Sequence, residues 1–406
     1  MLYGNAVVGQ SGGPTAAINA TLAGVIRGCL ASDAIPTLYG MRHGVEGLLK
    51  EDLVDLSSLF TKEEDITLLE DTPAAALGSC RYRLPDPEKD ASPFDTLLAV
   101  FKKYDIRYFF YIGGNDSMDA VAKLTRYMKD AKYEMRVIGV PKTIDNDLVG
   151  TDHTPGFGSA AKYVATTIKE VIRDCAVYTV RAVTVVEIMG RDAGWLTTAA
   201  ALPSLSGDGP DLIYLPERPF DEKAFLASVK EAFERHPNVV VAVSEGLRTA
   251  DGTYVGASAQ SGATDAFGHQ YLAGTGKYLE RLIKNELGCK VRSIELNLPQ
   301  RCAAHISSAT DIEESVRTGK GAVEAAINGT SGHMVVAIRE NDPPYAIRIS
   351  TSPVSEIANK VKTVPDEYIN VAGNGITEAG IAYLAPLILG ERACAFEYGM
   401  PKHFKI

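Results

Sequence analysis

The chain has 406 residues, 46% of them hydrophobic and 23% charged, the composition of a globular protein too long for one ordinary core. Two domains are therefore expected. The formal net charge of −10 argues against nucleic acid or an anionic membrane surface as the main partner, although a locally basic cleft can still take an anionic substrate.

Apolar, β-prone runs recur along the chain, and each stops at a polar or glycine-rich loop. Ala6-Val7-Val8 leads through Gly9-Gln10-Ser11-Gly12-Gly13-Pro14-Thr15 into a helical pattern over 16–30. The run 108–112 leads through Gly113-Gly114-Asn115-Asp116-Ser117 into a helical stretch ending near Lys132. Val137-Ile138-Gly139-Val140 gives way to Pro141-Lys142-Thr143-Ile144-Asp145-Asn146-Asp147, and a loop-like stretch over 152–158 precedes a helical pattern over 159–176. Later runs at 183–188, 239–243 and 294–298 end in Met189-Gly190-Arg191-Asp192, Ser244-Glu245-Gly246 and Pro299-Gln300-Arg301.

Continuous apolar strands alternating with helices imply parallel sheets covered on both faces. The expected fold class is α/β, with two doubly wound, mainly parallel-sheet domains facing a cleft. The chain should cross between them near 150–160 and return after about Leu298. That divides 1–157 with about 299–345 from 158–298 with part of 346–406. Ligands of such sheets bind outside the carboxyl ends of the strands, where all of these polar loops fall.

The loop after 137–140 is the richest in chemistry. Asp145 and Asp147, with Lys142 three residues before the first, supply a base for an acceptor hydroxyl and positive charge for a transferring group, which suits phosphoryl transfer. A solvated charged loop has the same composition. Gly12 and Gly13 can let a phosphate approach backbone N–H groups at a helix start, or can simply make a tight turn. In the second glycine loop, Asn115, Asp116 and Ser117 can hold a phosphate or its Mg²⁺, or can cap the helix. Arg81, Arg191, Arg292 and Arg301 are candidates for phosphate through paired, charge-assisted hydrogen bonds. Glu245 is a candidate acceptor for sugar hydroxyls. The isolated histidines, His269 among them, show no metal-ligand spacing, and no G-x-S-x-G elbow is present. Six scattered cysteines without a C-x-x-C pair fit reduced thiols. No apolar run reaches the roughly 18 residues of a membrane span, and Met1-Leu2-Tyr3-Gly4-Asn5 lacks the features of a secretory leader. A cytoplasmic location, with no membrane or nucleic-acid partner, is the expectation.

Taken together these residues resemble the phosphofructokinase family, and specifically its pyrophosphate-dependent branch, over nearly the whole chain. The resemblance implies a phosphofructokinase-like fold with the donor held by the domain starting at residue 1 and the sugar phosphate by the other. It makes Asp145 the base for the C1 hydroxyl of fructose 6-phosphate, with Thr143 and Ile144 lining the sugar site and Asp147 assisting at the phosphoryl group or its Mg²⁺. Met189, Gly190 and Arg191 match the sugar-binding loop, Glu245 a sugar-hydroxyl contact, and Arg292 and Arg301 the 6-phosphate contacts, with Leu298 beside them. Gly12, Arg81 and Gly114 match the pyrophosphate side. Donor choice rests on Asp116 and Lys142, where ATP-dependent relatives carry glycine. A carboxylate at 116 would occupy the place of the α-phosphate of ATP, and an ammonium at 142 can neutralise the transferring phosphoryl.

Three departures accompany the match. Asn115 stands where the family usually has aspartate, a poorer Mg²⁺ ligand; Leu298 replaces a polar or aromatic residue; and an arginine often lent by a neighbouring subunit would fall at Ala182, with Arg181 one place off. The resemblance implies a Mg²⁺-dependent phosphotransferase and a homodimer or homotetramer. An ATP-dependent or mixed-donor kinase of the same fold, and a non-catalytic sugar-phosphate-binding relative, are the alternatives.

Overall fold

A computed structural model describes residues 2–256 and 274–406. The chain begins with β1 (Asn5–Gln10), whose five buried residues follow directly from the apolar run. The helix Ile18–Leu30 then returns it to β2 (Leu38–Met41), and β3 (Leu53–Asp55) turns back against β2. Next come β4 (Ile106–Gly113), the helix Asn115–Asp130, and β5 (Arg136–Pro141). The helix Phe157–Cys175 opens the second unit. There β6 (Ala182–Ile188), β7 (Leu212–Tyr214), β8 (Asn238–Ser244) and β9 (Lys290–Glu295) follow in order. The helix Ala309–Ile327, then β10 (His333–Asn341) and β11 (Ala346–Pro353), return to the first sheet.

Two sheets result. The larger has seven strands in the order β11-β10-β5-β4-β1-β2-β3, and the smaller four in the order β7-β8-β6-β9. The smaller is entirely parallel, while antiparallel pairs close only the two edges of the larger, at β2–β3 and β10–β11. Helices cover both faces of the large sheet, so β4 reads as near-continuous apolar chain from Tyr108 to Ile112 and is buried throughout that run. Close approach of the helices Ile18–Leu30 and Ala309–Ile327 depends on glycine at the crossing. A Cβ on Gly24 would sit 2.2 Å from the Val316 carbonyl oxygen, and one on Gly319 2.1 Å from that of Thr21.

The doubly wound α/β fold is as expected, with one boundary redrawn. The run 294–298 belongs to a strand that starts at Lys290 and stops at Glu295, because Asn297 takes a left-handed φ of 42°. Beyond β11, the short helices between Asp366 and Ile388 pack in the core shared by Ile144, Phe157 and Trp195, while Phe404 and Ile406 pack back under the large sheet. Among the described residues no helix is long and apolar enough to cross a membrane.

Candidate active site

The carboxyl ends of β1, β4 and β5 face those of β6 and β8 across a cleft of about 450 Å³. Register brings the donor-side loops together: β4 and β5 run parallel with Gly113 opposite Pro141, and the Lys142 N–H donates to the Gly113 carbonyl at 3.0 Å. Lys142 is 3% exposed and its Nζ donates to the Gly13 carbonyl at 2.7 Å. Gly12, at a φ of 75°, lies beside it, where a Cβ would stand 3.3 Å from the ammonium. Burial lowers the Lys142 pKa to about 8, against the opposing pull of Asp145.

The loop that carries Asp145 and Asp147 is tied down at Thr143. The Asp145 N–H donates to Thr143 Oγ1 at 3.0 Å, and Thr154 Oγ1 donates to the Thr143 carbonyl at 2.8 Å. Asn146, fully buried, takes a φ of 51°, and this left-handed turn separates the two carboxylates. Both open onto the cleft and are enclosed by protein on their other sides. Burial, then the neighbouring Asp147 charge, raises Asp145 to about 7, and burial likewise raises Asp147. Asp145 is therefore poised as a proton acceptor near neutrality.

Across the cleft, the Gly190 N–H donates to Glu245 Oε1 at 3.3 Å, and the Glu245 N–H donates to the Ile188 carbonyl at 2.9 Å. Burial raises the Glu245 carboxyl to about 8. Arg191 lines the cleft, and its buried Nε has no hydrogen-bond partner.

Most of the sequence-derived residues converge here. Gly12, Arg81, Gly114, Asn115, Asp116 and Lys142 line the donor side. Thr143, Ile144, Asp145, Asp147, Met189, Arg191, Glu245 and Arg301 complete the wall, and Gly190 contributes through its backbone. Arg301, expected at the 6-phosphate, instead points toward the first glycine loop, its Nη1 3.1 Å from where a Cβ on Gly13 would stand. Burial, then repulsion from Arg81, lowers its pKa. Arg81, Lys142 and Arg301 thus bring three cations to one loop. Arg292 lies elsewhere, in a recess at the amino ends of β6, β8 and β9 with Tyr178, Val180 and Lys290. Leu298 is 52% exposed and outside the cleft lining.

Other lining residues had no assigned role. Arg83 approaches Asp116 Oδ1 at 3.5 Å; Asp192 follows Arg191 directly and could have been read with it. Asn359 and Val361 come from the C-terminal segment, where no motif marked them. His269 lies outside the described residues.

The Asn115 amide shows how a neutral side chain fits its place. Its Nδ2 donates to the Lys360 carbonyl at 2.8 Å, which fixes the orientation of the amide, and its buried Oδ1 is left without a partner. An aspartate could not donate that bond. With Asp116, Asp145 and Asp147, this gives the cleft an all-oxygen donor set suited to Mg²⁺. No group of three His, Cys, Asp or Glu side chains among the described residues makes a metal cage.

A carboxylate raised toward neutrality, sharing a cleft with Lys142, Arg81, Arg301 and Arg191, is an arrangement for moving a phosphoryl group to a hydroxyl. Residues 5–326 match the Phosphofructokinase family. The chain belongs to that family. It is 43% identical over 412 residues to the pyrophosphate–fructose 6-phosphate 1-phosphotransferase of Halomonas elongata, covering all of this chain and 97% of the relative. The enzyme of the same name from Xanthomonas campestris is also 43% identical, over 413 residues, with the same coverage. Among solved structures, a pyrophosphate-dependent phosphofructokinase from Nitrosospira multiformis superposes with a TM-score of 0.89 at 37% identity, covering 98% of this chain and 95% of the other. Within this phosphofructokinase the family match stops at residue 326, so Asn359 and Val361 reach the cleft from beyond it.

Proposed function

We propose that this phosphofructokinase transfers a phosphoryl group from inorganic pyrophosphate to the C1 hydroxyl of fructose 6-phosphate, giving fructose 1,6-bisphosphate and phosphate. The observation that carries the donor is Asp116 together with buried Lys142, on adjoining loops around Asp145. Asp145 accepts the hydroxyl proton as the C1 oxygen attacks in line, without a phosphoenzyme. Lys142, with Arg81 and Arg301, neutralises charge on the transferring group and the leaving phosphate, where stabilisation lowers the barrier most. Arg191 and Glu245 hold the sugar phosphate, Arg191 through its guanidinium and Glu245 by accepting from hydroxyls. Mg²⁺, held by Asp147 or Asp116 with Asn115 Oδ1, would screen charge on pyrophosphate when bound. The bonds broken and made are closer in energy than with ATP, so the reaction runs readily both ways.

An activity screen of donors against acceptors with Mg²⁺ tests this reading. Turnover with pyrophosphate and fructose 6-phosphate is expected, and robust turnover with ATP but none with pyrophosphate overturns it. The protein works in the cytoplasm as a homodimer or homotetramer on this reading. Arg292 supports assembly: it lies off its own cleft, on the exposed edge strand β9, beside a surface where Val177, Tyr178 and Val180 are 70%, 49% and 59% exposed. A second copy covering that surface would receive Arg292 at its own sugar phosphate. A monomer in sedimentation at micromolar concentration overturns the assembly.

A further inference from the structure

Lys362 lies beyond the residues that match the family, and its polar groups are all spent on two loops of the cleft. Its Nζ donates to Asn146 Oδ1 at 3.1 Å and to the carbonyls of Thr151 and Asp152 at 3.2 and 2.8 Å. These three acceptors span the chain from the left-handed turn at Asn146 to the end of the same loop. The Lys362 N–H donates to the Asp147 carbonyl at 2.8 Å, and its own carbonyl accepts from Trp195 Nε1 at 2.8 Å. Trp195 is 3% exposed and starts the short helix after Arg191 and Asp192, and the ammonium stands 5.1 Å from the centre of its ring. On one side of Lys362, the Lys360 carbonyl holds Asn115. On the other, the Val364 N–H donates to Glu217 Oε1 at 2.9 Å, and the same oxygen accepts from Gly194.

We propose that Lys362 is a positioning residue for phosphoryl transfer: it fixes the turn that carries Asp145 and Asp147 and ties it to the sugar-binding loop. The proposal rests on the reading of Asp145 as the base. Its physical content is that Asn146 holds an unfavourable backbone conformation only because its surroundings over-determine it. The side-chain amide is fixed from both ends, with Oδ1 accepting from Lys362 and Nδ2 donating to Tyr383 Oη at 3.3 Å. Tyr383 in turn donates to the Asp152 carbonyl at 2.6 Å, the same carbonyl that Lys362 holds. Losing the ammonium frees the turn to rotate Asp145 away from the acceptor hydroxyl. The loops that bind the substrates keep their own hydrogen bonds, so the loss falls on turnover and not on affinity.

The test uses the full chain with Lys362→Met, Lys362→Arg, Asn146→Gly and the double variant Lys362→Met with Asn146→Gly, with Asp145→Asn as a control. Steady-state constants are normalised to folded sites by substrate-binding titration. Lys362→Met is expected to lower kcat about 10- to 100-fold, as misplacement of a reacting group by about 1 Å can, with both KM values within about threefold. Lys362→Arg, which keeps charge and donors, is expected to recover part of the loss. Asn146→Gly tolerates the left-handed turn but lacks the acceptor, so adding Lys362→Met to it is expected to cost less than about twofold more. A Lys362→Met enzyme within about twofold of the parent kcat, while Asp145→Asn is inactive, overturns the proposal. Losses at Lys362 and Asn146 that simply multiply overturn it too, because uncoupled residues add in free energy. If Asp145→Asn keeps full activity, the reading of the site fails and not the role of Lys362. Should Lys362→Met fail to fold, Lys362→Arg combined with Asn146→Gly carries the same cycle.

Discussion

The acid and alkaline limbs of activity are set by two neighbours on one loop, and their values place the working range of the free enzyme. Asp145 must be ionised to accept the hydroxyl proton. Burial and Asp147 raise it to about 7, so activity is lost as pH falls through about 7. Lys142 must be protonated to neutralise the phosphoryl group. Burial depresses it to about 8, so activity is lost as pH rises through about 8. The raised carboxyl and the lowered ammonium bring the two limbs close together on either side of neutrality. The bell in kcat/KM for pyrophosphate is therefore narrow. Lys142→Arg keeps the charge on a group that does not titrate in this range, and should make the alkaline limb less steep while leaving the acid limb in place; what remains of the alkaline limb belongs to Lys362, which burial also lowers to about 8. Lys142→Met should lower kcat by about 10²–10³, the usual cost of losing one preorganised donor to developing charge. The assay is kcat/KM for pyrophosphate across pH 5.5–10 for the parent and both variants, with fructose 6-phosphate well below its KM so that the free enzyme is read. An alkaline limb unchanged in both pH and steepness in Lys142→Arg would refute the contribution of Lys142 to it.

Three further outcomes follow from the same geometry. Asp145→Asn keeps the shape of the loop and should lower kcat by about 10²–10⁴ while leaving the affinity for fructose 6-phosphate nearly intact; turnover and binding titrations separate the two. Asp116→Gly combined with Lys142→Gly should weaken pyrophosphate use and make ATP turnover measurable, whereas an unchanged donor preference would falsify the charge argument. His153, 5% exposed between Asp152 at 2.8 Å and Glu314 at 2.7 Å, has its pKa raised to about 9, burial opposing and the two carboxylates prevailing. A group with a raised folded-state pKa stabilises fully below its unfolded value of about 6.5 and loses that contribution as pH climbs through about 9. Denaturant titrations should show stability falling by on the order of 3 kcal/mol over that window, and a fall of the same size in His153→Gln would contradict the assignment.

The strand-end chemistry was legible because the central strands are buried on both faces, so their composition is continuous and their ends abrupt. Gly113–Asp116, Lys142–Asp147 and Met189–Arg191 were placed by that rule and converge in the cleft. The rule also shows why Arg292 stands apart. It lies three residues inside β9, toward the amino ends of the sheet, and not at a strand terminus. Edge strands such as β3 are short and half-buried, so they carry no comparable run. The segment 359–364 was silent for a different reason. Many of its bonds use the Lys360 and Lys362 carbonyls and the Lys362 and Val364 N–H groups, which every residue but proline possesses, and the Lys362 side chain alone adds bonds a sequence could hint at. A sequence pattern records side chains, so a strap docked through its backbone leaves almost no trace.

The donor argument also gains a structural reason for needing two residues. Asp116 sits in the first turn of the helix Asn115–Asp130, where the positive end of the dipole favours a carboxylate, with Arg83 at 3.5 Å. Lys142 follows the strand whose last residue pairs with Gly113, so parallel register sets the two loops side by side although 26 positions separate them in the chain. The buried ammonium is kept charged against desolvation chiefly by Asp145 and then Asp147. It belongs to the same charge balance as the base, and removing it alone leaves two carboxylates facing an anionic donor without it. Removing Asp116 alone opens space for a longer donor but leaves Lys142 where a third phosphate would have to pass. Each single change should therefore give a weaker pyrophosphate enzyme, and only the pair should admit ATP.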